Sequence, residues 1–277
     1  MLRRFVAPLA SEQLPLHIET VGLTPHEEYM NRPDGYPCFH WLHTLEGEGE
    51  LQALGTTWKL PEGTGFLLYP NVPHEYYARN GHWHTAYLTF TGSMAAVCAG
   101  ALFGNASAKF QWDESETGLT DALLGMLDLA ESGQDPAGWR NSAELYRFLT
   151  LLKTHGTNNQ LPSLSKRLER LQQLLAWLEI EYANPDVGLA EMAAQLGIGA
   201  RQLNERFKES FGQPAYAYLI TLRLRKAKEW LPSRPDMTVR QIGEAVGFRD
   251  ASHFIATFRQ REGMTPEKYR KLHGPSS

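Results

Sequence analysis

Five of the seven histidines in the first third of the chain invite a metal reading: His40, His43, His74, His82 and His84. Imidazole is a common zinc and iron ligand, and a catalytic site needs three protein ligands converging on one point. On a strand His40-x-x-His43 cannot supply two of them, because residues three apart point to opposite faces. His82-x-His84 has the right parity, but no third ligand lies near it in sequence. Local spacing therefore assembles no metal site, and neither a metal, a catalytic residue nor a cofactor is expected. A ligand pocket suits these segments better. His74 and Tyr76 share a face after Pro73, Trp83, Thr85 and Tyr87 share one on the next run, and His40 and Leu42 share one on the early run. Aromatic rings beside imidazole and hydroxyl groups fit a polar ligand with an apolar face, such as a sugar. Arg32, on the segment leading in, is within reach of a hydroxyl or carboxylate. Ordinary core or surface is the alternative for each of these residues.

A second chemistry lies near the C-terminus. "MAAQLGIGARQLNERF" (192–207) and "IGEAVGFRDASHFIATF" (242–258) align as a repeat. Met192 matches Ile242, Leu196 matches Val246, and Gly197 matches Gly247. After one added residue, Leu203 matches Phe254 and Phe207 matches Phe258. Each copy reads as helix, glycine turn, helix, the sequence form of a helix-turn-helix whose second helix enters the DNA major groove. With the apolar positions facing inward, the outward ones are Arg201, Gln202, Asn204, Glu205 and Lys208 in the first copy. In the second they are Arg249, Ala251, Ser252, His253, Ile255, Ala256 and Arg259. Arg201 suits guanine O6/N7 and Asn204 suits adenine N6/N7. Lys208, Arg249, Arg259 and the "RLRK" run at 223–226 suit phosphate, which positions a protein without reading sequence.

The elements that must carry these residues change character along the chain. Residues 1 to about 110 hold short aromatic and β-branched runs between Gly, Pro and Glu clusters, the rhythm of a β-sandwich or barrel. Two amphipathic helices follow, 119–131 and 139–155, with apolar residues at i, i+3, i+4 and i+7. "THGTNNQLPSLS" (154–165) reads as a linker, and the rest is helical. A long helix is stopped by Asn184-Pro185, another runs from Pro214 and is closed by Pro232, and Thr238-x-x-Gln241 is a capping box.

Charge divides the same way. The 277-residue chain has net charge −4, yet from residue 162 onward it carries 18 Lys and Arg against 13 Asp and Glu, net +5. The basic half favours a polyanionic partner. Cys38 and Cys98 have no paired spacing, which points to a reducing compartment. The opening "MLRRFVAPLA" has too short an apolar stretch for a signal peptide, and no window approaches the ~18 residues of a membrane span. A cytoplasmic protein with no membrane partner is the expectation.

The C-terminal residues, from about 170 to 272, resemble the AraC/XylS family of transcription regulators. Gly247-Phe248, Phe254, Phe258, Gly263, Pro266 and Tyr269-Arg270 fit its second-motif pattern, and Pro214, Tyr218, Arg223, Ala227 and Leu231 fit its connecting helix. "EGEGEL", "LPEGTGFLLYPNVPHEYY" and "HWHTAYLTFTG" resemble, more loosely, the cupin-type jelly roll that often precedes this DNA domain. The resemblance implies an α+β multidomain protein: a cupin-like effector-binding jelly roll (1–115), a helical dimerisation region (116–156), a linker (157–166) and a double helix-turn-helix domain (167–277). It implies a non-enzymatic regulator, an activator before a repressor. The partners are double-stranded DNA at promoter half-sites, a small polar effector such as a carbohydrate, a second copy of the chain and, for an activator, RNA polymerase. The rivals are a metal-dependent cupin enzyme fused to a DNA-binding domain, and a regulator without a small-molecule effector. The chain departs from many family members at Glu205 and Ala256, where they carry arginine. Glutamate favours a cytosine N4 donor, and Ala with Ile favours thymine methyl groups, so the second half-site is expected to contain thymine.

Overall fold

The structure is a computed structural model; it describes residues 1–7, 14–158 and 163–274. Part of the opening segment (8–13) and the centre of the expected linker (159–162) lie outside the described residues. The chain forms two compact units, Met1–Lys166 and Arg167–Ser277.

The first unit begins with seven strands: β1 (Arg3–Val6), β2 (His17–Thr24), β3 (Met30–Arg32), β4 (Phe39–Ala53), β5 (Thr56–Pro61), β6 (Thr64–Leu68) and β7 (His74–Thr91). Next come α1 (Ala95–Phe103), β8 (Ala108–Gln111), α2 (Glu114–Thr117), α3 (Leu119–Glu131), α4 (Trp139–His155) and β9 (Thr157–Asn158). The sheet is antiparallel in the order β1-β2-β7-β4-β6-β8-β9, with β3 also on β7 and β5 also on β4. One face packs on α1, α3 and α4 through Trp41, Leu88, Phe90, Leu123, Phe148 and Leu152. The opposite face encloses a smaller core of Leu42, Leu51, Leu60, Phe66, Tyr76 and Trp83. Thus the apolar stripes of α3 and α4 are buried within their own unit, while Trp139 and Tyr146 of α4 stay exposed.

Two features depart from the sequence reading. Ala95–Phe103 is a helix inside the segment expected to be all β. "AAVCAGALF" is alanine-rich and helix-favouring, but it is apolar around its circumference and so lacks a 3.6-residue stripe. Moreover, His74–Tyr76 and Trp83–Tyr87 belong to one 18-residue strand. Gly47 pairs with Trp83 and Gly49 with Ala78, so residues 79–82 bulge opposite Glu48, with Gly81 at φ +75°. The bulge shifts parity by an odd number, which brings His74, Tyr76, Trp83, Thr85 and Tyr87 to one face despite their mixed numbering.

The second unit opens within α5 (Leu164–Glu181) and continues with α6 (Leu189–Gln195), α7 (Ala200–Phe211), α8 (Ala215–Ser233), α9 (Val239–Ala245), α10 (Ala251–Glu262) and α11 (Pro266–His273). Two cores flank α8. Leu171, Leu174, Leu178, Met192, Leu203 and Phe207 gather with Leu219 and Leu222 on one side. On the other, Ile242, Val246, Phe254 and Phe258 gather with Ile220, Leu224, Ala227 and Leu231. Thr238 and Gln241 form the expected capping box. Pro232 does not close α8; it sits in the last turn, which runs on to Ser233.

Candidate nucleic-acid interface and ligand site

Both repeat copies fold as helix, glycine turn, helix: α6 to α7 through Gly197 (φ +61°), and α9 to α10 through Gly247 (φ +95°). Leu203, Phe207, Phe254 and Phe258 are buried, which fixes the rotation of α7 and α10 and turns their other faces to solvent. On α7, Arg201, Gln202, Glu205 and Lys208 are exposed; the Arg201 side chain is 93% accessible and pairs with Glu205 at 2.9 Å. An exposed i,i+4 pair of this kind is weak enough to exchange for another partner. On α10, Ser252, His253, Ile255, Ala256 and Arg259 are exposed and Ala251 is half-buried. Asp250 caps the helix by accepting from the His253 backbone N–H at 2.8 Å. Arg249, ahead of the cap, donates to the Pro185 carbonyl at 3.1 Å and pairs with Asp186 at 2.6 Å.

Two sequence expectations change here. Asn204 is half-buried, and its Oδ1 accepts the backbone N–H of Ala215 at 3.0 Å, capping the first turn of α8. An oxygen so engaged cannot complete the bidentate adenine pair, because that pair requires both ends of the amide. The "RLRK" run is not a phosphate comb either. Arg223 is only 2% exposed and donates to the carbonyls of Tyr182 and Asn184, both at 2.8 Å. Arg225 and Lys226 share the Glu179 carboxylate.

Inside the roll, the sequence-named residues divide into core and polar cluster. Leu42 and Trp83 are core; the Trp83 indole N–H donates to Thr44 Oγ1 at 3.0 Å and its ring packs on Gly49, where no Cβ fits. Thr85 donates to Glu27, and Tyr87 lies against Gly22 of β2. The polar cluster centres on His40, whose ring lies 5.9 Å from that of His74 and 6.3 Å from those of Tyr36 and Tyr76. Arg32 pairs across the ladder with His74 and lies over the Tyr36 ring at 4.3 Å. Three buried polar atoms in this cluster have no hydrogen-bond partner in the protein: Arg32 Nη1, His40 Nδ1 and His74 Nε2. Burial, with Arg32 and His74 nearby, holds His40 well below the ordinary imidazole range. Burial also lowers His74, although its Nδ1 bonds the Val72 carbonyl at 2.7 Å. A carbonyl only accepts, so His74 Nδ1 carries the proton and Nε2 of the neutral ring is a bare acceptor.

Glu19, Glu27 and Tyr36 join this region and were missed. Glu19 accepts from Tyr36 and Thr89, and burial raises Glu27, opposed by hydrogen bonds from Thr85 and Thr24. Glu27 lies between strands, where no periodicity marks its direction; for Glu19 and Tyr36 only the aromatic and acidic neighbours of Arg32 offered a signal.

His43, as parity requires, faces the other side. It accepts from the Trp41 indole at 3.4 Å and bonds Thr120 at 3.0 Å, and burial pushes it down to about 3. His82 is exposed beside Glu46. Among the described residues no three His, Cys, Asp or Glu side chains are placed to hold a metal ion. A cleft of about 520 Å³ opens elsewhere in this unit, between Phe5, Ile18, Trp139 and Asn141. It is lined mainly by apolar residues, with His17, Asp135 and Asn141 among them. One buried polar atom there, Asn141 Oδ1, has no partner in the protein, against three in the His40 cluster, which is therefore the stronger candidate for a polar ligand. No described helix is long and apolar enough to cross a membrane.

Known proteins match both halves. Residues 18–149 match the AraC-like ligand binding domain family, and residues 192–272 match a helix-turn-helix domain family. The HTH-type transcriptional activator RhaS of Salmonella arizonae is 27% identical over 245 residues, covering 86% of this chain and 76% of that protein. Among solved structures, the C-terminal domain of the response regulator yesN from Fusobacterium nucleatum is 29% identical, over 37% of this chain and 98% of that one, with TM-score 0.35. An AraC-type regulator from Chromobacterium violaceum is 26% identical, over 41% and 99%, with TM-score 0.37.

Proposed function

Starting from the fact that this chain belongs to the AraC family of DNA-binding transcription regulators, we propose that it is a cytoplasmic, homodimeric activator switched by a neutral polyhydroxylated effector, a carbohydrate, bound in the roll. The observation that carries the effector reading is the trio of unpaired buried atoms on Arg32, His40 and His74. Buried polar groups are nearly always paired, so three orphans in one cluster mark where a bound molecule completes the bonding. Arg32 Nη1 can only donate, and His74 Nε2, given its tautomer, can only accept. A hydroxyl satisfies both at once, accepting from the guanidinium and donating to the imidazole. A carboxylate satisfies Arg32 but sets an oxyanion against the bare His74 nitrogen. Tyr36 and Tyr76 supply the aromatic wall against which a sugar's C–H face packs.

At the other end, α7 reads one major-groove segment and α10 the next. Arg201 addresses guanine and Glu205 a cytosine amino group, with Gln202 beside them; Ile255 with Ala251 and Ala256 addresses thymine methyls, flanked by Ser252 and His253. Lys208, Arg249 and Arg259 hold phosphates. Paired half-sites favour a dimer, and the exposed Trp139 and Tyr146 of α4 are available for its contact. Effector binding shifts the balance between arrangements of the DNA-binding domains, which requires unequal affinity for the two states. RNA polymerase is then the downstream partner, and no catalytic step is involved.

The test is thermal-shift and calorimetric titration of the full chain with neutral monosaccharides and polyols beside the matching sugar acids. A neutral member should raise Tm, and Arg32→Met should abolish that rise without lowering the ligand-free Tm. Binding confined to the acids, or binding unchanged in Arg32→Met, sinks the reading.

A further inference from the structure

We propose that Arg223 is a positioning residue for DNA reading: it sets the phase between the two recognition helices. The two helix-turn-helix motifs have separate cores on opposite sides of α8, and Tyr182 is packed against both. Apolar contacts along one shared helix resist separation of the motifs but restrain rotation about that helix weakly, because they are non-directional. Hydrogen bonds are directional, and Arg223 supplies them at the seam.

Three segments meet on its guanidinium. It projects from α8 between the residues that feed the two cores, and it is almost fully buried. Its Nε donates to the Tyr182 carbonyl and its Nη2 to the Asn184 carbonyl, at the end of α5 and in the turn that follows. The last carbonyls of a helix lack partners of their own and form the negative pole of its dipole, so a cation there closes the helix. The third segment is the turn of the second motif. A Cβ on Gly247 would stand 2.4 Å from the Tyr182 carbonyl oxygen and 2.8 Å from Arg223 Nε. The turn that launches α10 therefore rests directly on the clamp that ends α5. Arg249, one step outward, ties the same turn to Pro185 and Asp186. The angular setting of α10 against the first motif thus runs through the fork of one arginine.

This proposal rests on the DNA-reading function, and its test separates the two. Full-length protein is used to select from a random duplex library, and enriched sites are sequenced. Wild type should enrich a bipartite site with a single spacing. One inserted base pair turns the second subsite by roughly 35° and should weaken binding on the order of 100-fold, the loss of two base contacts. Arg223→Lys keeps the charge, but an ammonium lacks the planar fork that spans two carbonyls. It should enrich the same two subsites over neighbouring spacings, with an insertion penalty below about tenfold. Gly247→Ala should relax spacing in the same way from the other side. The penalty is a ratio of affinities on one preparation, so a partly inactive sample does not imitate it. An unchanged spacing and penalty in Arg223→Lys overturns the proposal. So does loss of the folded C-terminal unit in that variant, which would make Arg223 a core element. Enrichment of no sequence by wild type would instead overturn the DNA-reading function itself.

Discussion

Replacing His43 with glutamine should remove a defined part of the acid sensitivity of the N-terminal unit. His43 is fully buried between Trp41, Trp112 and Thr120. The Trp41 indole can only donate, so His43 Nδ1 accepts and Nε2 donates to Thr120. Protonation would set an N–H against the Trp41 N–H in a fully buried site, which agrees with burial pushing the imidazole down to about 3. In the unfolded chain the ordinary value is about 6.5. The folded value is the lower one, so the unfolded state binds the extra proton and stability falls as pH drops below about 6.5. At pH 5 the unfolded imidazole is almost wholly protonated and the folded one almost wholly neutral. The difference is about 1.5 pH units, or about 2 kcal/mol. For a unit of this size that is roughly 4–8 °C in Tm. The measurement is thermal unfolding of the full chain from pH 7.5 to 5, following the near-ultraviolet signal of the buried tryptophans. Glutamine accepts and donates as the neutral ring does but does not titrate. His43→Gln should therefore lose about 2 kcal/mol less than wild type over that range, the remaining slope coming from groups such as His40 and His74. Equal slopes in the two proteins would refute the assignment of a buried neutral imidazole.

Asn204→Ala should destabilise the C-terminal unit by about 1 kcal/mol through loss of the cap on α8, with base preference in the selected site unchanged. An altered preference at one position would restore Asn204 to base reading. Ile255, 38% exposed on α10, should favour thymine at one position of the second subsite. Ile255→Ser should lose about 1 kcal/mol of that discrimination, read by competition between thymine and cytosine duplexes, and equal competition by wild type would dismiss the methyl contact.

Much of the molecule was legible because its signals are local. The repeat shows in sequence since Gly197 and Gly247 must take left-handed backbone at a tight turn, and Leu203, Phe207, Phe254 and Phe258 must recur at helical spacing. The stripes of α3 and α4 announced their bounds for the same reason. Helix α1 hid because it is apolar on its buried and exposed sides alike and so carries no stripe; only Ala95 and Ala99 are buried, while Val97 is exposed. Strand parity held within 74–76 and within 83–87 but could not join the two runs into one strand across residues 79–82, since a bulge depends on the partner strand and leaves no pattern of its own.

The functional surfaces divide along the same line. The residue types on the exposed faces of α7 and α10 follow from helix period and sequence alone. Which polar residues remain available was decided by tertiary structure: Asn204 of α7 is taken by a backbone N–H 11 residues away, and Arg223 of α8 by carbonyls 41 and 39 residues away. The roll shows this most fully. The sequence supplied Arg32, His40 and His74 as separate polar residues. The pairing of β3 with β7 sets Arg32 opposite His74, and only the tertiary fold brings His40, which pairs with Thr89 at the other end of the β4–β7 ladder, to 5.9 Å from the His74 ring. Burial there leaves these donors and acceptors without a partner in the protein, a property of the fold that no local run of sequence carries.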